Sequence, residues 1–235
     1  MSTLSAPARS RSATAAETRS SLGTLASLGL SLATALVIMG LALLPLLTPA
    51  WIHLAMGVAG GQAAGVGQAR SFALSDAVVS ELLLGPGTFA ITYDGGRSLL
   101  GPDEVAHMQN VRLVLWLFLG AAVAAAVLLA FALGQRGERA RWRAVARGGA
   151  GLVVALLVAG AFAAVAFGIA FELFHRVLFP GGNWAFDPAQ SNLVRMYPLG
   201  FWQLSAAAYG CLAIAGGTVV WLFARRRSRA PGGSR

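Results

Sequence analysis

Charge is scarce in this chain. Only 11% of its 235 residues are Asp, Glu, Lys or Arg, against roughly 25% in an ordinary soluble domain. Hydrophobic residues make up 57% and the mean hydropathy is +0.68, which excludes a water-soluble globule. Cysteine is reduced to Cys211, inside an apolar run, so an intramolecular disulfide, a CxxC redox pair and a cysteine-based zinc site are all excluded. Lysine is absent, and all 18 basic residues are arginine. These arginines flank apolar runs instead of forming one stripe, which argues against a nucleic-acid partner. GxSxG, SxxK and HExxH are also missing, leaving serine-nucleophile and zincin-type hydrolysis without a motif. No repeat of 20–50 residues is visible, and spans one, two and four carry no charge at mid-membrane depth, so a transporter is not supported.

What is present is a set of long apolar runs. Four exceed the ~20 residues needed to cross a ~30 Å hydrocarbon core. They lie at about 22–49, 111–134, 149–179 and 200–224. Without water to satisfy the backbone, each must be a helix. The expected fold is therefore an all-α membrane protein with four transmembrane helices in one domain, 22–224. A disordered basic tail (1–21) precedes it, and a second basic tail (225–235) follows. Thirteen of the 18 arginines fall in the two tails and the 134–148 connection, while seven of the nine acids lie on the other side, six in the other loops and Glu172 near the outer end of span three. By arginine bias both termini are cytoplasmic, and loops 50–110 and 180–199 face outward.

Those outer loops hold the informative residues. Loop 50–110 is too long for a simple connector and reads as a small extracytoplasmic subdomain between helices 1 and 2. Phe72, Leu74, Val78, Val79, Leu82 and Leu83 fit an amphipathic helix lying on the bilayer surface. Thr88 to Tyr93 reads as a strand before Gly95-Gly96. Gly57, Gly60, Gly61, Gly65 and Gly67 read as flexible loop, and Gly148, Gly149, Gly151, Gly216 and Gly217 as close helix contacts. Gly101-Pro102-Asp103-Glu104 is a helix start that runs on into the second span.

All three histidines map to the outer boundary: His53, His107 and His175. His53 reads as a headgroup-level anchor. Glu104 and Asn110 stand within a turn of His107, and Glu172 and Arg176 within a turn of His175. Glu172 and Arg176, four apart, also fit a plain surface ion pair. In a four-helix bundle of this topology, His107 and His175 sit at one depth and can face each other.

Two stretches, Pro102–Leu113 (PDEVAHMQNVRL) and Phe171–Trp202 (FELFHRVLFPGGNWAFDPAQSNLVRMYPLGFW), carry a resemblance. The chain resembles the bacterial lipoprotein intramolecular transacylase (Lit) family. That family has an acidic-x-x-His-Met-x-Asp-Val-Lys stretch entering span two and a Phe-x-x-Phe-His … Trp-x-Phe-Asp-Pro stretch leaving span three. Glu104, His107, Met108 and Val111 match the first. Phe171, Phe174, His175, Trp184, Phe186, Asp187 and Pro188 match the second. Asn110 replaces the family's usual Asp, Arg112 its Lys, and Ser191 stands near a common acid.

The resemblance implies a membrane enzyme of the bacterial cytoplasmic membrane, active on its outer face. It would move the sn-2 acyl chain of a diacylglyceryl-cysteine onto that cysteine's own α-amine, giving a lyso-form lipoprotein. Its partners would be a diacylated lipoprotein N-terminus and membrane lipid, and its catalytic pair His107 and His175. The chemistry agrees. Ester aminolysis needs a deprotonated amine of pKa near ~7.7–8.0, which a base near ~6.5 suits. Oxyanion or substrate-orienting candidates are Glu104, Asn110, Glu172, Arg176, Asn183, Trp184 and Asp187. Because the amine and the ester belong to one molecule, no nucleotide, metal or other cofactor is expected. The competing readings are a metal-dependent phospholipid hydrolase using Glu104, His107 and His175, a haem protein with the two histidines as axial ligands, and a structural four-helix membrane protein.

Overall fold

Among the residues described, four long apolar helices and three short ones build the fold, seen here in a computed structural model. It describes residues 8–135, 138–182 and 184–229, with side chains from Gly23 onward, Glu138 aside. In chain order the helices are α1 (Ala8–Leu43), α2 (Pro49–Ala59), α3 (Gln68–Leu83), α4 (Pro102–Leu133), α5 (Glu138–Leu178), α6 (Asn192–Met196) and α7 (Leu199–Arg229). A two-residue hairpin, β1 (Thr92–Tyr93) with β2 (Arg97–Ser98), precedes α4. The fold is an all-α membrane fold: α1, α4, α5 and α7 each contain a stretch long and apolar enough to cross a membrane.

α1 lies at the centre of the bundle, packing on α4, α5 and α7, and α5 packs along α7. Close approach depends on glycine. A Cβ on Gly149 would stand 2.8 Å from the Gly217 carbonyl, and one on Gly40 would stand 2.7 Å from the Ala122 Cβ. Of the glycine contacts expected, Gly148, Gly149, Gly216 and Gly217 are real helix crossings, whereas Gly151 faces open space. α4 and α5, by contrast, touch little.

The apolar surface of the spans faces outward along most of their length, as lipid-facing helices require. The buried core lies instead at the end that carries the two long loops. Ile52, Met56, Leu74, Val78, Phe89, Leu99, Met108, Leu193, Met196 and Phe201 form it, drawn from α2, α3, the hairpin, α6 and the starts of α4 and α7. A small subdomain caps the bundle at this end.

Several local expectations are revised. α1 starts at Ala8 rather than at Leu22, so the stretch read as a disordered tail enters the helix; Ala13, Ala15, Ala16 and Glu17 are strong helix formers. The first apolar run does not continue unbroken to Pro49. Pro45 ends it in a short 3-10 turn (Leu44–Leu47), and Thr48 caps a new helix, its hydroxyl accepting from Trp51 N at 3.4 Å.

Helix α3 exists, but Leu74 and Val78 are 5% and 2% exposed within the subdomain core, so its apolar face is used by protein and not by lipid. The glycines of 57–67 are not slack: Gly57 is within α2, Gly60 is its left-handed cap at φ 71°, and Gly61 lies against the Met196 carbonyl where no Cβ fits. The strand expected from Thr88 shrinks to Thr92–Tyr93. The Glu81 carboxylate accepts from Thr88 N (2.8 Å) and Phe89 N (3.2 Å), and Phe89, only 1% exposed, is held at φ 51°.

Candidate active site: a histidine pair in an aromatic box

His107 is carried one and a half turns into α4, and His175 stands one turn before the end of α5. At 1.5 Å per residue, His107 lies ~39 Å from Leu133 along its helix, further than a ~30 Å hydrocarbon core. The pair therefore sits near the helix ends that the subdomain caps. The two rings meet across the seam where α4 and α5 otherwise touch little. Their centroids are 6.1 Å apart with the planes 27° from parallel, and each residue is only 7% exposed.

Five aromatic rings enclose them. Phe179 stands against both, at 4.9 Å from His107 and 5.7 Å from His175. Phe171 (4.1 Å), Phe174 (5.3 Å) and Trp184 (5.0 Å) surround His175, and Phe186 (5.8 Å) closes on His107. Two features of the chain produce this box. Phe171 and His175 lie one turn apart on α5, and Phe179, the residue just past its end, continues their register by donating its N–H to the His175 carbonyl at 2.7 Å. The turn at Pro180–Gly182, with Gly182 at φ 75°, then reverses the chain so that Trp184 and Phe186 fold back over the pair.

The ring nitrogens are not equivalent. His175 Nδ1 lies 2.8 Å from the Phe171 carbonyl, which only accepts, so Nδ1 carries a hydrogen. In the neutral ring this leaves Nε2 with its lone pair free, the form of a general base. His107 Nδ1 is buried and has no hydrogen-bond partner among the described residues. Orphaned buried polar atoms are rare and call for a reason, of which a role toward a ligand is one.

The remaining candidates divide. Glu104 is buried but does not face the pair. Its Oε2 accepts from Gly101 N at 2.6 Å, and its Oε1 accepts from Leu193 N at 3.0 Å and from the Ser191 hydroxyl. Its carboxylate thus caps α4 and α6 at once, correcting the view of Glu104 as a free orienting or metal-binding group. Its side chain is fully engaged because Gly101 offers no side-chain acceptor to the first turn of α4 and Ser191 turns a donor toward it.

Asn110 is exposed. Glu172 and Arg176 form a 2.5 Å ion pair on the surface of α5, both largely exposed, as the plain reading of that spacing has it. Asp187 shapes the turn after the aromatic flap: its carboxylate accepts from Ala189 N at 2.8 Å and its carbonyl from Ser191 N at 2.9 Å. Asn183 lies outside the described residues. His53 is away from the pair, stacked on Phe72 (4.4 Å, 9°) and 2.8 Å from Asp76, where it clamps α2 to α3. Among the described residues no three His, Cys, Asp or Glu side chains cluster as metal ligands. A cleft of about 660 Å³ opens nearby, between Thr88–Ile91, Ser98–Pro102 and α6, but its lining includes neither histidine.

Phe171, Phe174, Phe179, Phe186 and Ser191 were not singled out as site residues by composition or spacing. The aromatics read as packing or membrane-belt residues. The signal that finds them is the Phe-x3-His-x3-Phe register together with a turn long enough to return the chain.

Comparison with known proteins agrees with the resemblance of the two motifs. Residues 95–202 match the family model described as lipoprotein intramolecular transacylase Lit, a segment containing both histidines, the flap and α6. The fold is similar to the in meso structure of the membrane integral lipoprotein intramolecular transacylase Lit from Bacillus cereus. The TM-score is 0.67 at 18% identity, covering 88% of this chain and 96% of that one. A histidine-to-arginine variant of that protein matches with a TM-score of 0.64, also at 18% identity, covering 92% and 96%. No curated protein matches the chain by sequence.

Proposed function

We propose that this chain is a lipoprotein intramolecular transacylase. It moves the sn-2 acyl chain of a diacylglyceryl-cysteine to the α-amine of the same cysteine and leaves an N-acyl, lyso-glyceryl lipoprotein. The observation that carries this reading is the His107–His175 pair itself, two imidazoles 6.1 Å apart on different helices, each only 7% exposed among aromatic rings. The family match over residues 95–202 supports the same reaction class.

The reaction needs one proton removed and one delivered. The α-amine attacks the ester carbonyl and forms the N–C bond, while His175 Nε2 takes the amine proton, its orientation fixed by the Nδ1–Phe171 contact. As the tetrahedral intermediate collapses and the C–O bond breaks, the departing sn-2 oxygen receives the proton that His175 took, with His107 hydrogen-bonded to that oxygen. The pair ends in the protonation state in which it began. Holding amine and ester of one molecule together supplies much of the rate, since well-oriented intramolecular reactions reach effective molarities of about 10⁵ M or more. The aromatic walls exclude water, which would otherwise intercept the acyl group as free fatty acid. The weakly packed α4–α5 seam is the route by which acyl chains enter from the bilayer.

The arginine bias puts both termini in the cytoplasm and the histidine pair at the outer leaflet of the bacterial cytoplasmic membrane, where diacylated lipoproteins are anchored. The test is incubation of the purified protein with a synthetic diacylated lipopeptide, before and after chelation, followed by mass spectrometry of fragments. Appearance of the N-acyl, lyso-glyceryl isomer with chelator present supports the transacylase. Release of free fatty acid that stops on chelation overturns it in favour of a metal-dependent hydrolase.

A further inference from the structure

Glu104 is a buried side chain that the acyl-transfer chemistry does not use. It lies one turn before His107 on α4, yet both of its oxygens are committed elsewhere. On one side it accepts from Gly101 N and so fixes the first turn of α4, which carries His107. On the other it accepts from the Ser191 hydroxyl and Leu193 N, the N-cap and the second residue of α6.

α6 is in turn continuous with the flap. Arg195 Nε donates to the Pro188 carbonyl at 2.8 Å and its Nη2 to the Ala189 carbonyl, while the Asp187 carbonyl accepts from Gln190 N and Ser191 N. Residues 187–191 are therefore one stiff turn fused to α6, and the residues just before it are Trp184 and Phe186, which cover the two imidazoles. A single carboxylate joins the helix bearing one histidine to the segment that roofs both.

We propose that Glu104 is the positioning residue of the histidine pair, acting as a latch through Ser191 that holds the Trp184–Phe186 flap closed over His107 and His175. The kinetic consequence rests on the transacylase reading; the latch itself does not. An amide at this position places an N–H against donors on at least one side, since Gly101 N, Leu193 N and the Ser191 hydroxyl all donate. The latch opens without loss of the helices themselves, because α6 keeps its other anchors: Asn192 Nδ2 on the Leu99 carbonyl at 3.0 Å, and Leu193 and Met196 in the core.

The experiment compares the full-length wild type with Glu104→Gln and, as a milder second variant, Ser191→Ala, in detergent. Histidines are labelled with diethylpyrocarbonate and the rate is read for each by peptide mass spectrometry. His53, partly exposed and remote from the latch, is the internal reference. The expected result is that labelling of His107 and His175 rises about fivefold or more as the flap opens locally, with His53 unchanged. With a diacylated lipopeptide as substrate, kcat falls about 10–100-fold, the scale of a small misplacement of reacting groups, while KM stays within about twofold. Wild-type labelling rates at His107 and His175 in both variants overturn the latch, as does an equal rise at all three histidines, which marks general loosening. If the wild type gives no acyl shift, the transacylase reading fails, and the labelling arm still decides the latch.

Discussion

Replacing His175 with phenylalanine separates chemistry from packing. A phenyl ring keeps the contacts with Phe171, Phe174, Phe179 and Trp184 that now surround the imidazole at 4.1–5.7 Å. What is lost is the Nδ1–H bond to the Phe171 carbonyl, which has a second lone pair and lies in the i−4 position of the α5 ladder, so it is not left bare. One neutral hydrogen bond is worth about 0.5–1.5 kcal/mol, a shift of roughly 1–6 °C in Tm for a chain of this size. Loss of the base costs far more. A positioned general base contributes about 10²–10⁴-fold, or ~2.7–5.4 kcal/mol at 1.36 kcal/mol per decade. The assay pairs a thermal melt in detergent with initial rates of lyso-form production by mass spectrometry. The prediction is a Tm within a few degrees of wild type and turnover down at least about 100-fold. A variant that melts like wild type and keeps more than a tenth of the turnover refutes the assignment of His175 as base.

Three further outcomes follow from the same structure. His107→Ala lowers turnover on the scale of His175→Phe, and the double variant is no worse than the poorer single, because residues that act as one unit lose their effect together; a product of the two losses contradicts a shared step. Tyr197 is buried with its hydroxyl 2.8 Å from Ser75 Oγ, and its pKa is pushed up from 10.0 to about 12, chiefly by burial. Its stabilising contribution is therefore whole below pH 10 and lost as pH rises through about 12. Tyr197→Phe should cost about 1–3 kcal/mol at neutral pH by stranding Ser75 and should flatten that alkaline loss, read by melts across the range. Gly149→Val places a side chain where a Cβ already stands 2.8 Å from the Gly217 carbonyl. It should destabilise the α5–α7 crossing by about 1–3 kcal/mol, while Gly151→Val, with open space around it, should not.

Much of the bundle was legible because a span must be a long uncharged helix, a constraint strong enough to read without context. The pairing of His107 with His175 was legible for a related reason: two helices of known polarity bring residues near their outer ends to one depth. The subdomain was not. Its core draws Ile52, Leu74, Phe89, Leu99 and Met196 from five separate segments, and no local period announces such non-local packing. In a chain this apolar, the face of α3 bearing Leu74 and Val78 looks the same whether lipid or protein covers it.

Glu104 was misread for a different reason. A carboxylate three residues before a histidine on a helix suggests a shared task at the site, whereas its position at N3 of α4 makes it a cap. Only the folded chain shows that its second oxygen is spent on α6. The aromatic box was half visible, since Phe171 and Phe179 flank His175 at helical spacing. The return of Trp184 and Phe186 depends on the turn at Gly182, whose direction spacing alone does not set.

The most direct measurement follows an isotopically labelled sn-2 acyl chain in a diacylglyceryl lipopeptide, mixed with an unlabelled lipopeptide of different mass and treated with the protein. If His107 and His175 act on an amine and ester of one bound molecule, the label appears only on the α-amine of the peptide that carried it, and disappears from the product when His175 is Phe. Label on the other peptide, label released as free fatty acid, or full transfer by the His175→Phe variant would contradict that claim.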